Sequence, residues 1–125
     1  MTLLTIFIGG GLGAVSRYLA GSWVNRLMGP EFPWGTLLVN VAGSFIIGFF
    51  LTWMEHRLPV FPYWRPLIAI GFLGGFTTFS SFSWETVVLL RNGDYLLAAL
   101  NTGGSVLLCL TGVILGIWLA RPAGG

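Results

Sequence analysis

Between Gly71 and Glu85 the chain reads Gly-Phe-Leu-Gly-Gly-Phe-Thr-Thr-Phe-Ser-Ser-Phe-Ser-Trp-Glu, which places three glycines, five hydroxyl side chains and one carboxyl inside an apolar segment. An ordinary membrane-spanning helix has no need of that mixture. Glycines followed by paired threonines can leave helical geometry and expose backbone groups, which in lipid is tolerated only where the backbone is buried in protein or lines a cavity. The stretch therefore predicts a broken helix at a polar site. Phe79 and Phe82 stand three residues apart and Glu85 three further on, a spacing read as one helical face. Thr77, Thr78, Ser80, Ser81 and Ser83 alternate with them, so phenyl edges, which carry the positive lobe of the ring quadrupole, sit among O–H donors. That chemistry suits a small anion. Glu85 has two readings: a carboxyl on an ion pathway or proton site, or one held by hydrogen bonds near the end of its span.

Polar residues elsewhere also stand at helical spacing. Thr36, Asn40 and Ser44 fall at i, i+4 and i+8 and form one stripe. The Asn40 amide is either an interhelical hydrogen bond or a donor aimed into an ion path. Asn101, Ser105 and Cys109 repeat the pattern, a mildly polar track that helix packing alone would also explain. Arg17 lies on a stripe with Gly9, Gly13 and Gly21, where a neighbouring backbone can come close. Its guanidinium either snorkels to the interface or faces a water-filled vestibule for anions. The sole histidine, His56, and the sole cysteine, Cys109, are far apart and make no metal-ligand pattern. A nucleophile and base pair, a phosphate loop and a dinucleotide fingerprint are all missing, so the chain is not read as an enzyme.

The elements that must position these residues are membrane spans. Of 125 residues, 55% are hydrophobic and 8% charged, and the mean hydropathy is +0.86, more apolar than a soluble core of this size requires. A span takes about 20 apolar residues, so a single all-α transmembrane domain over residues 1–125 accommodates four, at about 3–27, 34–54, 67–90 and 95–119. Gly29, Pro30 and Pro33 separate the first two. The connection from Glu55 to Pro66, with Arg57, Pro59, Pro62, Trp64 and Arg65, is expected at the interface, and Asn92-Gly93 turns the chain into the last span. The first span has neither a basic leader nor a small-residue cleavage site, so a removed signal peptide is not expected.

The net charge of +2 comes from six dispersed arginines, not from a nucleic-acid-binding patch. They divide almost evenly, with Arg57, Arg65 and Arg121 on one side of the membrane and Arg26 and Arg91 on the other. Orientation normally follows an excess of Lys and Arg in cytoplasmic loops. A chain with so little bias can insert both ways and pair as an antiparallel, dual-topology homodimer, whose second copy supplies the wall area that four helices lack.

Three ordered runs carry a resemblance: Gly-Gly-x-Gly-Ala-x-x-Arg-Tyr at Gly10 to Tyr18, Gly-Thr-Leu-x-Val-Asn-x-x-Gly-Ser-Phe at Gly35 to Phe45, and the run from Gly71 to Glu85. Together they resemble the Fluc (CrcB) family of fluoride ion channels, and the similarity covers the whole chain. The resemblance implies an antiparallel homodimer in a prokaryotic plasma or inner membrane, surrounded by lipid, with two fluoride pores and a structural sodium ion at its centre. It places backbone carbonyls of Gly74 and Thr77 on the sodium, and Phe79, Phe82, Asn40 and Glu85 at the pore with the hydroxyls of Thr78 and Ser81. Arg17 falls at the vestibule, and Asn101, Ser105 and Cys109 fall on the fourth-span track, where the family pattern is a tyrosine and two serines. Cys109 is a weaker donor than serine.

The chemistry is consistent with that resemblance. Fluoride is small and strongly hydrated, so a selective path must replace its water with closely spaced donors while binding weakly enough to release it. Two other readings stand beside it. A small dual-topology multidrug exporter would want an acid at the centre of its first span, where this chain has Arg17. A non-transporting assembly subunit would use the same polar residues for packing alone.

Overall fold

The computed structural model describes residues 1–57 and 62–122. Helix α1 is Thr2–Met28 and α2 is Trp34–Glu55. α3 winds over Arg65–Leu73 with the wider π-type spacing and ends in an α-turn at Gly74–Phe76. α4 is Phe79–Arg91 and α5 is Tyr95–Ala120. With α3 and α4 taken together as Arg65–Arg91, four stretches of 27, 22, 27 and 26 residues are long and apolar enough to cross a membrane. At about 1.5 Å per residue, each exceeds the roughly 30 Å of hydrocarbon. No strand occurs among the described residues.

Little of the apolar surface turns inward. Leu3 is 83% exposed, Phe7 79% and Phe79 77%, a surface that suits lipid and not water. Small residues let the backbones meet instead. A side chain on Gly9 or Gly13 of α1 would run into the carbonyls of Leu67 or Phe72 in α3, and one on Gly75 into the carbonyl of Gly10. Gly48 of α2 and Gly116 of α5 meet the carbonyls of Val113 and Phe45 in the same manner. Where lipid is as apolar as leucine, this close backbone packing is what draws helices together. The glycine stripe of α1 thus serves α3 at one end and, through Gly21 beside Gly35, α2 at the other.

The α1–α2 and α4–α5 turns are short and held by hydrogen bonds. The Asn25 Oδ1 accepts the Gly35 N–H at 2.8 Å, holding the start of α2 against the end of α1. At the end of α4, Gly93 adopts φ 79°, and the N–H groups of Gly93 and Asp94 return to the Leu90 and Leu89 carbonyls, a Schellman ending that needs glycine there. Beyond α2, the Arg57 guanidinium lies 4.5 Å over the Trp53 ring. Pro59, expected in the interfacial connection, lies outside the described residues.

Candidate functional site

Between Phe76 and Phe79 the chain leaves helical geometry for two residues, Thr77 at φ −88°, ψ 156° and Thr78 at φ −151°, ψ 115°. Paired β-branched residues favour that extended form. Thr77 closes the turn before it, its N–H and its hydroxyl both donating to the Leu73 carbonyl. Thr78 opens the next helix, its Oγ1 accepting the Ser81 N–H at 3.1 Å as an N-cap. The freed backbone of Thr78 is met by Asn40 of α2. The amide Nδ2 donates to the Thr78 carbonyl at 3.0 Å, and its Oδ1 accepts the Thr78 N–H at 2.7 Å. Both backbone groups are thereby satisfied without water, as a non-polar setting demands. One Asn40 N–H remains beyond this pair. Gly43, one turn along α2, leaves room for the Thr77 methyl.

Apart from Asn101, the predicted site residues divide among three cavities, two of them lined by Thr78. A cavity of about 350 Å³ brings together Asn40, Thr78, Phe79, Phe82 and Ser105, and with them Gly74 and Thr77. Cys109 and Ser44 line it as well. The Phe79 and Phe82 rings are tilted at 40° with centroids 5.3 Å apart. A second cavity of about 160 Å³ holds Arg17, Ser81 and Thr36, and it shares Thr78 with the first. A third, of about 920 Å³ near the α1–α2 and α4–α5 turns, holds Glu85 and shares Ser22 and Asn25 with the second. The three form a series through shared walls, with Thr78 and its Asn40 clamp at the inner junction.

Glu85 and Asn101 lie outside the first cavity. Glu85 does not share a cavity with the phenylalanines, because six residues at about 100° each carry it roughly 120° round α4 from Phe79. Its carboxyl instead accepts the Thr36 hydroxyl of α2. Asn101 is only 2% exposed and stands behind the first cavity, where its Nδ2 donates to Thr86 Oγ1 at 2.9 Å. Arg17 turns inward, and its Nε donates to the Gly75 carbonyl at 3.0 Å, just before the interruption. In the sequence Thr36 is one member of a stripe with Gly43 beside it, and Thr86 carries no signal of its own. Nothing in their own spacing names their partners, which belong to other helices.

Apolar helices of membrane-crossing length, glycine seams and polar groups gathered at a helix interruption define a multi-pass integral membrane protein. The chain belongs to the CrcB family: residues 4–117 match the family described as CrcB-like protein, Camphor Resistance (CrcB). A Solibacter usitatus protein named fluoride-specific ion channel FluC is 46% identical over 121 residues, covering 97% of this chain and 99% of that one. Its namesake from Coxiella burnetii is 48% identical over 122 residues, 97% and 98% of the two chains. Another from Opitutus terrae is 53% identical over 115 residues, 90% and 87%.

Proposed function

We propose that this chain is a fluoride-selective passive channel of a bacterial plasma membrane, through which cytoplasmic fluoride leaves the cell. The observation that carries the reading is the Thr77–Thr78 interruption, clamped by Asn40 and bordered by the Phe79 and Phe82 rings, in a chain about half identical to proteins named as fluoride channels. A desolvated fluoride needs donors, and the remaining Asn40 N–H, the phenyl edges and, on leaving Ser81 Oγ and Asn101 Oδ1, the Thr78 and Ser105 hydroxyls supply them around one cavity. Arg17 and Ser81 border the adjoining cavity, where a cation attracts anions without standing beside Asn40 and the phenyl rings.

A second, antiparallel copy completes the pathway in this reading. Phe79 is exposed beside the cavity, so one chain supplies a partial wall, and two copies related by an axis in the membrane plane enclose two pores. The same junction suits a sodium ion. Thr77 is extended, which turns its carbonyl away from the helix, and Gly74 lines the cavity with nothing within 4 Å of where a side chain would start. Carbonyl oxygens of Gly74 and Thr77 from two copies are hard donors for a hard cation. When bound, the ion adds positive potential beside the anion path.

The test is fluoride efflux from liposomes containing the purified chain, compared with chloride and without a pH gradient. Rapid efflux of fluoride but not chloride is expected. Efflux that waits for a proton gradient would identify an exchanger, and a folded protein that passes no fluoride would sink the reading.

A further inference from the structure

Thr86 and Asn101 stand just outside the cavity lined by Asn40, Thr78 and Ser105, yet they are bonded to its walls. The Asn101 Nδ2 donates across the α4–α5 contact to Thr86 Oγ1 at 2.9 Å. The Thr86 hydroxyl gives its own proton to the Phe82 carbonyl, 2.7 Å away. A hydroxyl that accepts from an amide is the stronger donor, so the two bonds reinforce each other. At the other end of the same amide, Oδ1 accepts from the Ser105 hydroxyl at 3.4 Å, and Ser105 faces the cavity. Apolar contact would join α4 to α5 without choosing a rotation. Directional bonds choose one, and α4 packs chiefly on α5, so the rotation chosen there sets where Phe79 and Phe82 point.

We propose that Thr86 and Asn101 are a positioning pair for the anion path. Through the Asn101-to-Thr86 bond they fix the rotation of α4 and with it the aim of the phenyl pair, and through Ser105 they hold a hydroxyl proton away from the cavity until an anion competes for it. At 3.4 Å the Ser105 bond is long for O–H···O, so that proton is exchanged at little cost. The inference rests on the fluoride-channel reading, and its experiment separates the two.

The full chain in liposomes is assayed for its fluoride-to-chloride permeability ratio and its half-saturating fluoride concentration. Neither moves when only the number of folded channels falls. Thr86→Val keeps the side-chain shape and removes both bonds, and a change of roughly fivefold in at least one reading is expected, the equivalent of one net hydrogen bond. Thr86→Ser keeps the hydroxyl and should return both readings to within about twofold of the unmodified chain. If Thr86→Val does not yield folded protein, Asn101→Leu, which removes the amide and leaves the Thr86 to Phe82 bond, is read the same way. Unmodified readings in Thr86→Val would overturn the inference. So would a Thr86→Ser channel as altered as Thr86→Val, since the role would then belong to packing. If the unmodified chain passes no fluoride, the channel reading fails and this inference with it.

Discussion

Replacing Asn40 separates tying down the helix interruption from facing the anion. In the native chain both ends of the amide are engaged by Thr78, at 3.0 Å and 2.7 Å. Asn40→Leu removes both bonds and leaves two backbone groups unpaired within the membrane, at about 1–3 kcal/mol each. Asn40→Asp keeps the bond from the Thr78 N–H but loses the donor to the carbonyl, about 1–3 kcal/mol, and sets a carboxylate inside a span, about 2.5–3.5 kcal/mol more. Stability therefore does not separate the two replacements. Conduction does, if fluoride passes the amide. A carboxylate roughly 5 Å from the ion raises its energy by about 3 kcal/mol at an effective dielectric constant near 20, on the order of a hundredfold in rate, whereas leucine adds no charge. Thermal unfolding and fluoride efflux are measured on the same preparations, with flux normalised to folded protein. Both variants should unfold at a lower Tm than the unmodified chain, while flux falls from the unmodified chain through Asn40→Leu to Asn40→Asp. Equal flux in the two variants would refute the placement of Asn40 on the anion path.

Other outcomes follow from the same geometry. Phe82→Ile removes a ring edge from the cavity and should lower fluoride flux by roughly tenfold or more, the loss of about 1–2 kcal/mol of ring-edge stabilisation, with detergent chromatography unchanged; native flux would remove Phe82 from the path. Gly43→Ala forces a methyl against the Thr77 side chain and should cost about 1–3 kcal/mol, seen as a lower Tm. Gly103→Ala meets nothing within 4 Å, so it serves as the control and should leave Tm level or raised; equal Tm values for the two variants would contradict the packing described. Replacing sodium with a large organic cation should abolish conduction if Gly74 and Thr77 hold the ion through their carbonyls, and full flux in sodium-free buffer would count against that site.

The four apolar helices are legible in the sequence, because span length and hydropathy are properties of each segment alone. The stripe of Thr36, Asn40 and Ser44 is also legible as a shared face. Its partners are not, since Glu85 and Thr78 lie 49 and 38 residues away and only the packing of helices brings them near. For Glu85 spacing leaves both readings open, since two steps of three residues fall short of whole turns and the drift accumulates; the bond from Thr36 matches the hydrogen-bonded one. Thr86 carries no tertiary signal in the sequence, because a helical threonine commonly bonds its own i−4 carbonyl. It does so here, and its second bond, from Asn101, is tertiary. For Arg17, snorkelling and a vestibule were both open from sequence. The observed bond to the Gly75 carbonyl depends on α1 and α3 approaching through their glycines. The π-type winding of Arg65–Leu73 has no signal that we can identify in its residues.

Passive fluoride conduction is tested most directly by electrical recording from the purified chain in a planar bilayer, with a fluoride gradient imposed and pH equal on both sides. The current should reverse at the fluoride equilibrium potential and stay there when a chloride gradient or a pH difference is added. A reversal potential that tracks the proton gradient, or the chloride gradient, would contradict a fluoride-selective channel.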